Sequence, residues 1–161
     1  MDRPPEVSDG SDRLARRAQA VFRADLVLDP PITLRGGNAL DDYEQPSAFD
    51  SRLDDPTDTY LEQYAHYGLT YLDPPSWRHY LPRLVDYALR HYKECDGRSG
   101  LVIEGLMASL RPPERQPPRF ATLSPEQRAL LGEFLTLLAF DDGSSWQDDA
   151  VELLEAYWER A

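Results

Sequence analysis

The chain has 161 residues, the length of one ordinary domain, and 41% of them are apolar, enough for a modest core. Seventeen basic residues against 29 acidic ones give a formal charge of −12, a field that repels phosphate backbones and anionic headgroups. Nucleic acid and membrane surfaces are therefore poor partners. The single cysteine, Cys95, excludes an internal disulfide framework and a thiolate zinc site. The first 25 residues hold no apolar stretch of signal-peptide type, and the uncharged run from Phe134 to Phe140 is far short of a membrane span, so a cytoplasmic location is expected.

Residues 1–10, with two prolines and little to bury, read as a flexible arm ahead of a single domain over 11–161. Ser11 is a good N-cap, and Leu14, Ala18, Val21 and Phe22 share one helical face. Asp29-Pro30-Pro31 stops that helix, and Gly36-Gly37 suggests a loop before a short helix capped by Asn38. Thr57 caps a helix to Tyr67, closed by Gly68; Tyr60, Tyr64, Tyr67 and Tyr71 recur at helical spacing, the pattern of a core face.

Asp73 and Pro74 open the clearest element, with Trp77, Tyr80, Leu81, Leu84, Val85, Ala88 and Tyr92 on its inner side. Pro82 within it predicts a kink near Trp77 or a break into two helices. Leu101–Leu110 is nearly uncharged and fits buried helix or buried strand. The four prolines between Arg111 and Arg119 predict a stiff extended connection. Ser124-Pro125-Glu126-Gln127 has the signature of a capping box before Leu130, Leu131, Phe134, Leu135 and Leu138. Ser144 and Gln147 repeat that spacing before a last amphipathic helix through Trp158, so the final two helices should form an antiparallel hairpin. The expected fold is mainly α, one compact domain of about six helices.

Charge is concentrated. From Asp41 to Glu62 eight acids oppose Arg52 alone, and from Asp141 onward seven oppose Arg160 alone. One account makes these a solvated loop and helix-start acids such as Asp148 and Asp149. The other makes one or both an acidic face for a basic partner, in which Asp41, Asp42, Glu44, Asp54, Asp55, Asp58 and Glu62 take part. The aspartates lack the spacing of a calcium loop, and no metal or cofactor is expected.

No catalytic set stands out. His79 and His91 lie about 120° apart around a helix, and neither they nor His66 has a carboxylate three residues earlier. Ser99 lacks a nucleophile elbow and Cys95 lacks a neighbouring histidine. Glu62 and His66, at i and i+4, form the one carboxylate–imidazole pair on a shared face. The leading expectation is a non-catalytic module for a basic partner protein, with an immunity or inhibitor role against a bacterial toxin as one version. The alternatives are a small hydrolase built on Glu62, His66 and the neighbouring tyrosines, and a structural subunit with an apolar patch to which Leu153 and Trp158 contribute.

Leu40-Asp41-Asp42-Tyr43, Leu72-Asp73-Pro74 leading to Tyr80-Leu81-Pro82, and Leu123-Ser124-Pro125-Glu126-Gln127 together resemble a family of short bacterial proteins of unknown function. The resemblance spans residues 15–140 and implies a helical domain without assigning a site. On it, the segment from Trp146 onward is an individual extension.

Overall fold

The computed structural model describes residues 6–94 and 96–160, with side chains from residue 10 onward, and shows helices and no strands among them. In chain order these are α1 (Glu6–Val21), α2 (Arg23–Leu26), α3 (Leu34–Asp41), α4 (Asp58–Gly68), α5 (Pro74–His91), α6 (Gly97–Ser109), α7 (Pro125–Phe140) and α8 (Gln147–Leu153). Single 3-10 turns follow α4 and precede α7, and a π turn, Leu154–Trp158, continues α8. The chain is mainly α and forms one compact domain, with α7 and α8 packed on each other. Met1–Pro5 of the expected arm and Cys95 lie outside the described residues.

α5 is the central helix. Trp77, Tyr80, Leu81, Leu84, Val85, Tyr87 and Ala88 are fully buried, and α1, α2 and α6 pack around them. Its apolar stripe follows the predicted spacing, but Pro82 does not divide it. The helix runs unbroken from Pro74 to His91, because packing on both sides of the proline outweighs one missing N–H. α7 starts with the predicted capping box: Ser124 accepts from the Gln127 N–H at 3.1 Å and Gln127 accepts from the Ser124 N–H at 2.9 Å. The expected second box is absent. Ser144 accepts instead from the Trp146 N–H, and Gln147 donates to the Asp141 carbonyl.

Several other expectations give way to tertiary constraints. α1 begins at Glu6, so Ser11 lies inside it and residues 6–10 are helical. Leu101–Leu110 resolves as helix, extended back to Gly97 and capped by Asp96. The segment from Arg111 to Arg119 is not an extended rod: Glu114 turns back and accepts from the N–H groups of Arg119, Phe120 and Ala121 at 2.8, 3.1 and 2.9 Å. Arg119 is itself buried. It donates to the Leu69 and Leu72 carbonyls at 2.7 and 2.6 Å and lies 5.8 Å from the Trp77 ring centre, and burial lowers its pKa to about 10.

Gly36-Gly37 is not a loop but the body of α3, capped by Thr33, whose hydroxyl accepts from the Gly36 N–H at 2.8 Å. The reason is contact with α4. A Cβ on Gly37 would collide with the Gly68 carbonyl, and one on Gly68 would stand 2.5 Å from the Leu34 carbonyl oxygen. Asn38, expected as a cap, lies mid-helix and ties the crossing by donating to the Leu34 and Tyr64 carbonyls at 3.1 and 2.6 Å. Gly105 of α6 takes the same role on α4's other side, with Ala65 and His66 backbone atoms 3.3 to 3.4 Å from where its Cβ would be. α4 therefore buries Leu61, Ala65 and Gly68 with Tyr60, and Tyr64 packs half-buried against the core as the stripe predicts, while its other two members, Tyr67 and Tyr71, are exposed.

That crossing sets Arg35 beside Asp54. The guanidinium donates to both carboxylate oxygens at 3.0 and 2.8 Å, and Asp54 also accepts from the Asp50 N–H and the Tyr60 hydroxyl at 2.9 and 2.8 Å. Burial alone would push the Asp54 carboxyl up, but these donors together outweigh it and hold it below the ordinary value of 3.8.

Two predictions follow from this core. Gly37→Ala should cost about 2 kcal/mol or more through enforced separation of α3 and α4, whereas Gly100→Ala, whose Cβ meets nothing within 4 Å, should stabilise by about 0.5 to 1 kcal/mol; urea unfolding measures both. Because the native pKa of Asp54 is depressed, its contribution is complete above the unfolded value near 4 and lost as pH falls toward the native value. Asp54→Asn should therefore cost about 3 kcal/mol at pH 7. The gap between the two proteins in urea midpoint should close steadily from about pH 5 downward.

Candidate functional site

The predicted acidic face is partly consumed by the fold. Asp54 is 1% exposed and committed to Arg35 and Tyr60, so it cannot present its carboxylate to another molecule, and its place in the predicted set is corrected. Sequence reports charge and not depth. Asp58 receives both terminal nitrogens of Arg90 at 2.7 and 2.8 Å, which, against the opposing effect of partial burial, lowers its pKa. Asp41 accepts from the Tyr71 hydroxyl at 2.8 Å, and Glu62 accepts from the Tyr87 hydroxyl at 3.4 Å. Asp42, Glu44 and Asp55 are exposed, and their carboxylates have no hydrogen-bond or ion-pair partner among the described residues.

The C-terminal acids are less encumbered. Asp141 is drawn in, accepting from the Tyr92 hydroxyl and from the Gly143 N–H at 2.9 Å, with Lys93 3.8 Å away. Asp142, Asp148, Glu152, Glu155 and Glu159 are all exposed and unpaired among the described residues. Asp148, Glu152, Glu155 and Glu159 follow one another at 4, 3 and 4 along α8 and its π turn, an exposed row of acids at the C-terminal end of the chain. The two acidic stretches ride on different helix groups, since α3 and α4 pack together and onto α6, while α8 packs on α7.

A cleft of about 310 Å³ lies where α4, the following 3-10 turn and α6 meet, and it gathers His66, Tyr67, Tyr71, Asp41, Glu104 and Arg115. The predicted catalytic pair does not assemble there. Glu62 turns to Tyr87 and stays off the cleft wall, while His66 packs edge-on against Tyr67 at 4.7 Å with its buried Nδ1 unpartnered. Arg115 donates to the Thr70 carbonyl at 2.8 Å, and the Ser109 hydroxyl donates to the Leu106 carbonyl at 2.7 Å, with no base beside it to make it a nucleophile. The arrangement can accept a small polar ligand but shows no nucleophile paired with a base.

His79 Nδ1 bonds the Asp25 carbonyl at 2.8 Å, and His91 Nδ1 bonds Glu94 at 2.9 Å, so Glu62 and His66 are not the one carboxylate–imidazole pair at helical spacing; His91 Nε2 is buried without a hydrogen-bond partner, 4.0 Å from Asp58. Burial lowers the pKa of His79. Among the described residues no group of three or more His, Cys, Asp or Glu is placed to hold a metal ion, and no helix is long and apolar enough to cross a membrane.

Leu153 and Trp158 do not form the expected surface patch. Both are buried, and the Trp158 indole donates to the Leu110 carbonyl at 2.7 Å. Large apolar side chains do stand at the surface elsewhere, among them Val27, Leu28 and Leu53, and Phe140 is 71% exposed at the end of α7. Its signal was present, because Phe134 and Phe140 are six residues apart and cannot share a helix face.

Comparison with known proteins adds a family and no activity. No curated protein and no solved structure matches the chain. A family model described as a family of unknown function, DUF6714, matches residues 11–161, so the segment from Trp146 onward is part of the family's shared length and not an individual extension. The chain belongs to this family of unknown function, DUF6714.

Proposed function

We propose that this protein is a non-catalytic binding module whose acidic surface takes a basic partner protein. The observation that carries the reading is the row of Asp148, Glu152, Glu155 and Glu159, exposed and unneutralised on an element whose one base is Arg160. Carboxylates left free after folding raise the rate of encounter with a cationic surface and disfavour acidic competitors. Asp42, Glu44 and Asp55 supply a second, smaller edge of the same sign. An inhibitor of a basic toxin in the bacterial cytoplasm is one concrete form of such a module.

A second reading is favoured by the unpartnered His66 Nδ1 in the cleft beside Tyr71 and Glu104: a site for a small polar molecule. Imidazole resonances of His66 that stay fixed through titration with a panel of polar metabolites would count against it.

For the leading reading, affinity capture with the purified chain should recover a basic protein at low ionic strength and release it as salt rises. Neutralising Asp148, Glu152, Glu155 and Glu159 to their amides should slow association about tenfold or more. A partner held equally at low and high salt, or captured equally by the neutralised variant, would contradict it.

A further inference from the structure

The outer face of α7 is bare in a way its neighbours are not. Ala129, Gly132 and Thr136 follow one another at 3 and 4 along it, and Phe140 ends the row, exposed, with Glu126 a turn before them and Glu133 beside them as the charges of this face. Glu133 is engaged by Arg17 of α1. Between this face and the π turn lies a groove of about 460 Å³, walled on the far side by Val151, Leu154 and Trp158. Gly132 keeps its floor low, since a Cβ there would stand 3.3 Å from the Trp158 carbonyl oxygen.

The rim on the α8 side is acidic. Glu155 and Glu159 line the groove and neither has a partner among the described residues. The turn that carries them is a π turn, closed by the Glu159 N–H on the Leu154 carbonyl at 3.0 Å. Such turns occur mostly singly and often at functional sites, because they offset side chains from the register of the helix before them. Here the offset segment also seats the Trp158 indole on Leu110, which fixes the wall. A face of small residues lets a second helix approach closely, an exposed aromatic ring offers an anchor, and unpaired carboxylates along one edge select cations.

We infer that the groove between α7 and the α8 π turn docks an amphipathic helix of a partner protein, its apolar side on Ala129, Gly132, Thr136 and Phe140 and its lysines or arginines along Glu155 and Glu159. This rests on the basic-partner reading and adds an address to it. The charge of the rim argues for a basic partner helix over a second copy of this chain, whose own α8 would bring like charge to the same edge.

The test uses a fluorescein-labelled synthetic helix of leucine and lysine, about five turns long, with leucines on one face, and a scrambled peptide of identical composition. The amphipathic peptide should bind the intact chain at least about tenfold more tightly than the scrambled one. Glu155→Gln with Glu159→Gln, Phe140→Ser and Gly132→Leu should each weaken it about tenfold, while Asp42→Asn with Glu44→Gln and Asp55→Asn should leave it unchanged. Phe140→Ser and the two glutamate substitutions alter exposed side chains, so they decide the matter if Gly132→Leu perturbs folding in circular dichroism. Equal binding of both peptides, or equal loss from either set of neutralised acids, would overturn the groove and leave the basic-partner reading standing. Failure of both peptides to bind at low salt would overturn both.

Discussion

The contact between Gly37 and Gly68 fixes the distance on which the N-terminal half of the molecule depends. Two helices whose backbones touch need glycine on both sides, and here neither position has room for a Cβ. With α3 held this close, the Tyr60 hydroxyl reaches the Arg35 N–H and the Tyr80 hydroxyl reaches the Leu34 N–H, at 3.2 and 3.3 Å. Arg35 in turn anchors Asp54 and the loop that precedes α4. Gly105 repeats the close approach from α6, so α4 is held between two helices through its smallest residues. This geometry also decides which acids remain at the surface, for it draws Asp54 inside and leaves Asp42, Glu44 and Asp55 outside.

Much of the architecture could be read from local chemistry. α5 starts after Asp73 as expected, but Asp73 makes no side-chain cap bond and it is Pro74 and Pro75 that dispense with first-turn N–H groups; at α7 Ser124 and Gln127 satisfy each other's N–H groups. The inner stripe of α5 was legible because one uninterrupted period repeats through it. Gly36-Gly37 misleads because the same residue that permits a turn also permits a close helix crossing, and only the partner helix decides between them. The tyrosine stripe holds for Tyr60 and Tyr64 and misleads for Tyr67 and Tyr71, because large rings yield the interface to Ala65 and Gly68 where two backbones must meet.

The charged surface was legible in amount and not in disposition. Composition gives the excess of carboxylates, but Arg90 sits 32 residues from Asp58 and Arg35 sits 19 from Asp54, separations that no local pattern reports. Along α8 the count translates more directly into surface, because its one base is Arg160 and the helix packs through Ala150, Leu153 and Leu154, leaving the acids outward. The outer row of α7 beside it is the complementary feature: α7 packs against α1, α8 and the π turn, and what it leaves outside is small or acidic up to the exposed ring of Phe140.

The proposed reading assigns recognition to the C-terminal helical pair and leaves structural stability to the N-terminal glycine crossing. Backbone amide shift mapping by NMR, during titration with the leucine–lysine helix, tests that division most directly. The account predicts shifts confined to residues 129–140 and 151–160, with the amides of residues 41–62 unmoved. Perturbation centred on residues 41–62, or spread evenly over every exposed acid, would contradict it.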